Sequence, residues 1–256
     1  MFRSIFIVII CFCFAFFGCQ KKEKKDSEEF VLIDRGSYTT RTINDTEVFI
    51  KDKKVMNGYY VVGNKFDKWE EFEVKDGILN GKYILFHPNG QKSSLTNYSN
   101  GKKHGIEHHF YLSGELSKAL SYSNNKLIGK TTEYYEGGAI SKESKLKNED
   151  IIESISYNNV GVIIGQMFIS DGIKINQYLK NGKLFCETLS STYDDNEAIK
   201  FYNEDGTLKH YLKMFEVNEQ PFIAVLDMDG IEIKKINLKS DTTESRKYLA
   251  LIGPFY

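Results

Sequence analysis

Four imidazoles fall within 23 residues, at His87, His104, His108 and His109, and a cluster of that kind raises the question of a metal site. Residues adjacent in a strand point to opposite faces, so His108 and His109 cannot both join one site. The acids stand singly in turns, no Ser, His and Asp come together, and neither Gly-x-Gly-x-x-Gly nor a Walker-type loop occurs. These observations argue against an enzyme, a metal and a cofactor. Thiol chemistry is confined as well. Of Cys11, Cys13, Cys19 and Cys186, only Cys186 lies in the folded part, so no intrachain disulfide can form there and cohesion must come from packing.

The remaining chemistry is aromatic. His87, Tyr111 and Tyr135 recur every 24 residues. If they occupy equivalent strands of successive hairpins they lie about 10 Å apart, twice the strand spacing. They would then form a ladder on the outer face of a sheet, able to stack on sugars or peptide groups or simply to shield that face.

The elements that must hold such a ladder are marked by glycine. Gly81, Gly105 and Gly129 keep a 24-residue step, and Gly90, Gly114 and Gly138 keep the same step on a second clock. Gly77, Gly101 and Asn125 make a third set. The second clock continues through Gly161, Gly182, Gly206 and Gly230, with intervals of 23, 21, 24 and 24 residues. A fixed period means a repeat architecture. One unit reads Lys82 to His87, the turn Pro88-Asn89-Gly90, a run from Gln91 to Ser99 and the turn Asn100-Gly101. Nine of the 20 glycines follow Asn or Asp, the dipeptides that accept positive φ in a type I′ turn, so each unit reads as an antiparallel hairpin. Four residues before the second-clock glycines stand Phe86, Phe110, Tyr134, Tyr157, Tyr178, Tyr202 and Leu226. Two after come Leu116, Ile140, Ile163, Leu184 and Leu208, and eight after come Tyr98, Tyr122, Leu146, Ile169, Met214 and Leu238. These columns are expected to form the buried face.

The combination of Asn80-Gly81-Lys82, Phe86, Asn89-Gly90, Tyr98, Asn100-Gly101-Lys102-Lys103-His104-Gly105, Phe110-Tyr111 and Gly114 resembles the MORN-repeat variant, a β-hairpin repeat of bacterial proteins. The match is good from Asn57 to Lys145, weaker over 150–172, and from 173 to 239 it loses the second glycine, with Glu197 and Pro221 in its place. The resemblance implies an all-β, single-layer meander of hairpins used for binding or scaffolding, without a shared catalytic set. Some members of the family carry a putative antitoxin label.

The start of the chain has a different character. Arg3 precedes thirteen mostly apolar residues, Ile5 to Phe17, the length of a signal-peptide core and too short for a membrane span. Gly18-Cys19 followed by Gln20-Lys21-Lys22 resembles a bacterial lipoprotein cleavage and lipidation box, although Phe16 and Phe17 depart from it. That resemblance implies removal of residues 1–18 and acylation of Cys19. Residues 20–29 are all polar and read as a tether. Residues 30–56 read as N-terminal capping strands, and 57–239 as hairpin repeats, irregular at 150–172. Residues 240–256 read as a cap, with a short helix at 242–252 whose start is expected at the capping-box pair Asp241 and Glu244.

Net charge is -1, without the basic stripe that nucleic acid requires. The implied function is a non-enzymatic binding or scaffold module, tied to the cell envelope through lipidated Cys19, with the outer membrane the expected address and a protein or glycan as ligand. The alternative is an immunity or antitoxin-like protein that neutralises a toxin partner. Within the array, Gly81, Gly90, Gly105, Gly114, Gly129, Gly138, Gly182, Gly206 and Gly230 are the expected structural turns.

Overall fold

The computed structural model describes residues 30–64, 66–191, 197–240 and 242–253. Asn, Asp and Gly pairs set the hairpins. Both residues of Asp76-Gly77, Asn100-Gly101, Asn124-Asn125, Asn148-Glu149, Asp171-Gly172 and Asn218-Glu219 have positive φ, from 49° to 78°, as a two-residue type I′ turn demands. The longer turns at Gly90, Gly114, Gly138, Gly161, Gly206 and Gly230 share another closure, in which the glycine N–H donates to the carbonyl three residues before it (2.9 to 3.2 Å).

These turns generate an all-β chain. The N-terminal part contains β1 (Phe30–Ile33), β2 (Thr39–Ile43), β3 (Thr46–Lys51), β4 (Lys54–Val55), β5 (Gly58–Gly63), β6 (Lys68–Lys75) and β7 (Ile78–Phe86). The middle contains β8 (Lys92–Ser99), β9 (Lys102–Lys103), β10 (Gly105–Phe110), β11 (Leu116–Ser123), β12 (Lys126–Leu127), β13 (Lys130–Tyr134), β14 (Ile140–Lys147), β15 (Asp150–Tyr157), β16 (Ile163–Ser170) and β17 (Ile173–Lys180). The C-terminal part contains β18 (Lys183–Ser191), β19 (Glu197–Tyr202), β20 (Leu208–Val217), β21 (Gln220–Leu226), β22 (Glu232–Asn237) and the helix α1 (Thr243–Ile252). From β5 onward each strand pairs antiparallel with the next long one, and β1 joins β5 in parallel. The result is a 19-stranded sheet not closed into a barrel. β2, β3 and β4 form a separate three-stranded sheet.

Cross-strand partners lie on the same face, so one face can be followed along the sheet. Phe72 pairs with Tyr83 and Tyr83 with Thr96; two residues from Thr96, Ser94 pairs with His109. From there the row runs His109, Lys118, Glu133, Lys142, Ser156, Gly165, Tyr178, Cys186, Phe201 and His210. Both ends of this face are covered. At the N-terminal end Phe49 of the small sheet sits on Phe72 (ring centroids 5.0 Å), in a core with Ile33, Met56, Tyr60, Val62, Val74 and Leu79. At the C-terminal end Tyr248 and Ile252 of α1 pack on Cys186, Ile199, Phe201, Leu212, Ile223 and Ile236.

Several expectations change. The repeat columns are not the buried face. Phe86, Phe110, Tyr134, Tyr157, Tyr202 and Leu226 are half-buried, Tyr178 is 40% exposed, and of the other two columns only Leu146 is buried. Tyr98 packs against the N-terminal core and Met214 and Leu238 against the core under α1, but between the caps no second layer covers the columns, and they are divided between the faces. Phe110 lies beside His108, on the face opposite His109, whereas Tyr98 shares the Thr96 face. Tyr178 leaves its column altogether. Gly182 closes a two-residue turn with Asn181, φ 52° and 74°, and not the longer turn of the other second-clock glycines, so Tyr178 pairs with Gly165 and Cys186 on the covered face. The sheet runs unbroken through 150–172, where β15 and β16 pair along their length. The closing helix is present, but its N-cap is Thr242, in a reciprocal box with Ser245. Glu244 instead ion-pairs with Lys234, and Asp241 lies outside the described residues.

Candidate binding surface

The ladder residues occupy the position three before the longer turns, where the main chain folds back: the N–H of His87, Tyr111 and Tyr135 each donates to the carbonyl four residues on. Their side chains reach to the next repeat. His87 Nε2 lies 3.1 Å from the Phe110 carbonyl, the Tyr111 hydroxyl donates to the Tyr134 carbonyl (2.5 Å), and the Tyr135 hydroxyl donates to the Tyr157 carbonyl (2.7 Å). The three expected residues therefore come together as one ladder, with their polar tips spent on rungs between hairpins and their half-buried rings beside them. The ladder stops at Asn158, whose Oδ1 accepts from the Val160 and Val162 N–H groups of its own turn.

At the other edge, asparagine joins the repeats. Asn57 Oδ1 accepts from Asp76 N–H (2.6 Å), and Asn125 Oδ1 accepts from Lys103 N–H (2.7 Å). Gly101 N–H donates to Leu79 O and Asn125 N–H to Lys103 O. Gly81, Gly105 and Gly129 sit at φ 131°, 87° and 69°. A Cβ on Gly81 would come within 3.0 Å of the Glu73 Cβ, so glycine there answers a close approach between neighbouring hairpins.

Between the two covered ends the same face alternates polar side chains with apolar ones, among them Leu120 opposite Glu107, Leu146 beside Ser144 and Met167 opposite Ser154. Ser94, Thr96, Glu107, Thr131, Ser144 and Ser154 are buried on it, together with Leu146, packed among their neighbours on the sheet. Around them stand charged pairs. Lys118 Nζ lies 3.0 Å from a Glu133 carboxylate oxygen, and Lys103 Nζ lies 3.0 Å from Glu107. Thr96 Oγ1 donates to Glu107 (3.0 Å), and His109 Nε2 is 3.5 Å from it. Burial alone would raise the Glu107 carboxyl, but the hydrogen bond and charge of Lys103, with Thr96 and His109, hold it below the ordinary carboxylate range. Sequence reasoning passed over this row because serine, threonine and lysine in alternation look like an ordinary solvated strand face. The available signal was the cross-strand register, which needs the turn lengths.

His108 and His109 do fall on opposite faces, opposite Leu95 and Ser94, and His104 uses its main-chain N–H on Asn97 O. Among the described residues no three His, Cys, Asp or Glu converge as a metal site would need. Cys186 is a buried free thiol, pushed up to about 12 by burial and then by Glu187, which makes it a packing residue and not a nucleophile. Cys19 lies outside the described residues. Among the described residues no helix is long and apolar enough to cross a membrane.

The fold and this surface define an open β-hairpin repeat protein. No family model matches the chain, and no curated protein matches it. Among solved structures, a chain of the "Crystal structure of GtfA/B complex bound to UDP and GlcNAc" aligns with 41% of this chain and 22% of its own length, at 10% identity and a TM-score of 0.22. A likeness at that score carries no argument.

Proposed function

We propose that the protein is a non-enzymatic binding or scaffold module, anchored at a bacterial envelope through an acylated Cys19. The proposed contact surface is the face left uncovered between the small sheet and α1. The observation that carries this reading is the distribution of side chains along one continuous face. Where the chain supplies its own cover, the face is apolar. From β8 to β16 hydroxyls and charges, such as Lys142 and the Lys118–Glu133 pair, stand among its apolar side chains, which suits a partner with polar groups and breaks up the exposed apolar area. The Cys19 anchor rests on the amino-terminal sequence alone.

Capture of partners from envelope fractions tests the surface. A Lys118→Glu, Lys142→Glu double variant is expected to keep its fold and to lose partners that the wild type retains. Equal capture by the folded variant would move the contact surface elsewhere. Metabolic acyl labelling, lost in Cys19→Ala, tests the address; an unlabelled wild-type protein in the cytosol would refute it. A captured toxin would select the immunity reading over a general scaffold.

A further inference from the structure

Where the small sheet lies against the long one, an open cleft of about 480 Å³ remains. Its walls include Tyr38, Glu47, Phe49, Glu70, Tyr83 and Tyr98. Tyr38 stacks on Phe49 (5.6 Å, 18°), and Tyr83 meets Tyr98 edge-on (6.2 Å, 84°). Glu70 is fixed between two phenols, accepting from Tyr38 (2.9 Å) and Tyr83 (2.5 Å). Among the described residues neither Glu70 nor Glu47 has a Lys, Arg or His within ion-pair distance. The cation on the lining, Arg35, lies instead over the Trp69 ring, 5.3 Å from its centroid. Ser37, between the lining residues Gly36 and Tyr38, has its Oγ buried without a hydrogen-bond partner. Burial, and then Glu70 and Glu47, push the Tyr38 phenol up; burial, and then Glu107 and Glu47, do the same for Tyr98. The phenols thus remain protonated donors in a negative field.

A half-buried carboxylate without a counter-ion is costly, and aromatic faces attract cations, most strongly where water is displaced. The two features converge in one cleft. We propose that the cleft binds an alkylammonium group, with Glu70 and Glu47 as its counter-charges and Tyr38, Tyr83 and Tyr98 as its walls. That group has two sources, a free organic amine or the lysine side chain of a protein partner. The inference stands apart from both the Cys19 anchor and the contact surface between the caps.

The test is calorimetric titration of the full chain with choline, with n-butylammonium as the lysine side-chain probe, and with 3,3-dimethylbutan-1-ol, the neutral isostere of choline. At least one cation is expected to saturate, with the neutral isostere at least tenfold weaker. Glu47→Gln and Glu70→Gln are each expected to weaken cation binding at least tenfold, and Glu153→Gln, remote on β15, to leave it unchanged. Glu47 makes no hydrogen bond to the Tyr38–Glu70–Tyr83 set, so Glu47→Gln decides the matter if Glu70→Gln fails to fold. Choline tighter than butylammonium supports a free quaternary amine, and the reverse supports a lysine side chain. No saturable cation binding, equal binding of the neutral isostere, or full binding by folded Glu47→Gln would overturn the proposal. Capture by the Lys118 and Lys142 face reads separately, so either idea can fail alone.

Discussion

The C-terminal strands β18 to β22 and the central strands β10 to β15 share one face and one hairpin geometry, yet they are held in different ways. Under α1 the face carries Cys186, Ile199, Phe201, Leu212 and Ile223, each at most 4% exposed. In the centre the same face carries Glu107, Lys118, Thr131, Glu133, Ser144 and Ser154, with apolar Leu120, Leu146 and Met167 set singly among them. The difference teaches that the repeat does not need a core. Main-chain ladders, turn asparagines and the His87, Tyr111 and Tyr135 rungs carry the hairpin array, and apolar packing is added only where the chain folds a cap back onto the face. A repeat array is stabilised by neighbour contacts and by atypical terminal units.

The comparison breaks first if its apolar ends are not where the stability resides. Phe72→Ala at the N-terminal end should cost about 3 to 5 kcal/mol and Leu212→Ala at the C-terminal end about 2 to 5 kcal/mol in denaturant titration, since both side chains are 0% exposed. Phe110→Ala in the centre should cost only about 1 kcal/mol, because a half-buried ring with no second layer loses a fraction of its transfer energy. A loss at Phe110 as large as at Phe72 would show that the centre has a core after all.

The rungs sharpen the contrast. Tyr111→Phe and Tyr135→Phe each delete one hydroxyl that donates to the next hairpin, and each should cost roughly 0.5 to 1.5 kcal/mol without altering the circular dichroism spectrum. Acid should act on the centre more than on the ends. Glu107 is held below the ordinary carboxylate range, so its contribution is complete above that range and is lost as pH falls through the depressed value. Wild type should therefore lose stability on acidification more steeply than Glu107→Gln; parallel pH profiles would contradict this. Smallest of all, Lys118→Ala removes one partner of an exposed ion pair, 40% exposed on each side, and should stay within about 0.5 kcal/mol.

How much of this was legible in sequence follows from what turns encode. Asn-Gly and Asp-Gly pairs announced the hairpins, and the 24-residue step announced their repetition, because positive φ is tolerated by few residue types. The closing helix was legible, although its start at Thr242 and Ser245 was one residue later than Asp241 and Glu244 predicted; that β1 joins the long sheet while β2 to β4 fold over its face was not. Burial was not legible. In a single layer both faces alternate with the same period of two, so the regular columns of Phe110, Tyr134 and Tyr157 marked recurrence and not cover. Gly182 kept its place on the clock while closing a shorter turn, which moved Tyr178 to the other face; spacing alone does not distinguish the two closures. The rungs were legible as aromatic positions, but their acceptors, carbonyls 22 or 23 residues away, were not.

Thiol accessibility along the shared face tests the account most directly. In a chain carrying Cys11→Ser, Cys13→Ser and Cys19→Ser, the native Cys186 is compared with variants that add Lys118→Cys or Lys142→Cys, by timed maleimide labelling under native conditions and in denaturant. The account predicts rapid native labelling at 118 and 142 and none at Cys186, 0% exposed beneath α1, until the protein unfolds. Slow labelling at 118 and 142, matching Cys186, would mean that the centre of the face is covered and would contradict the open sheet on which the proposed function rests.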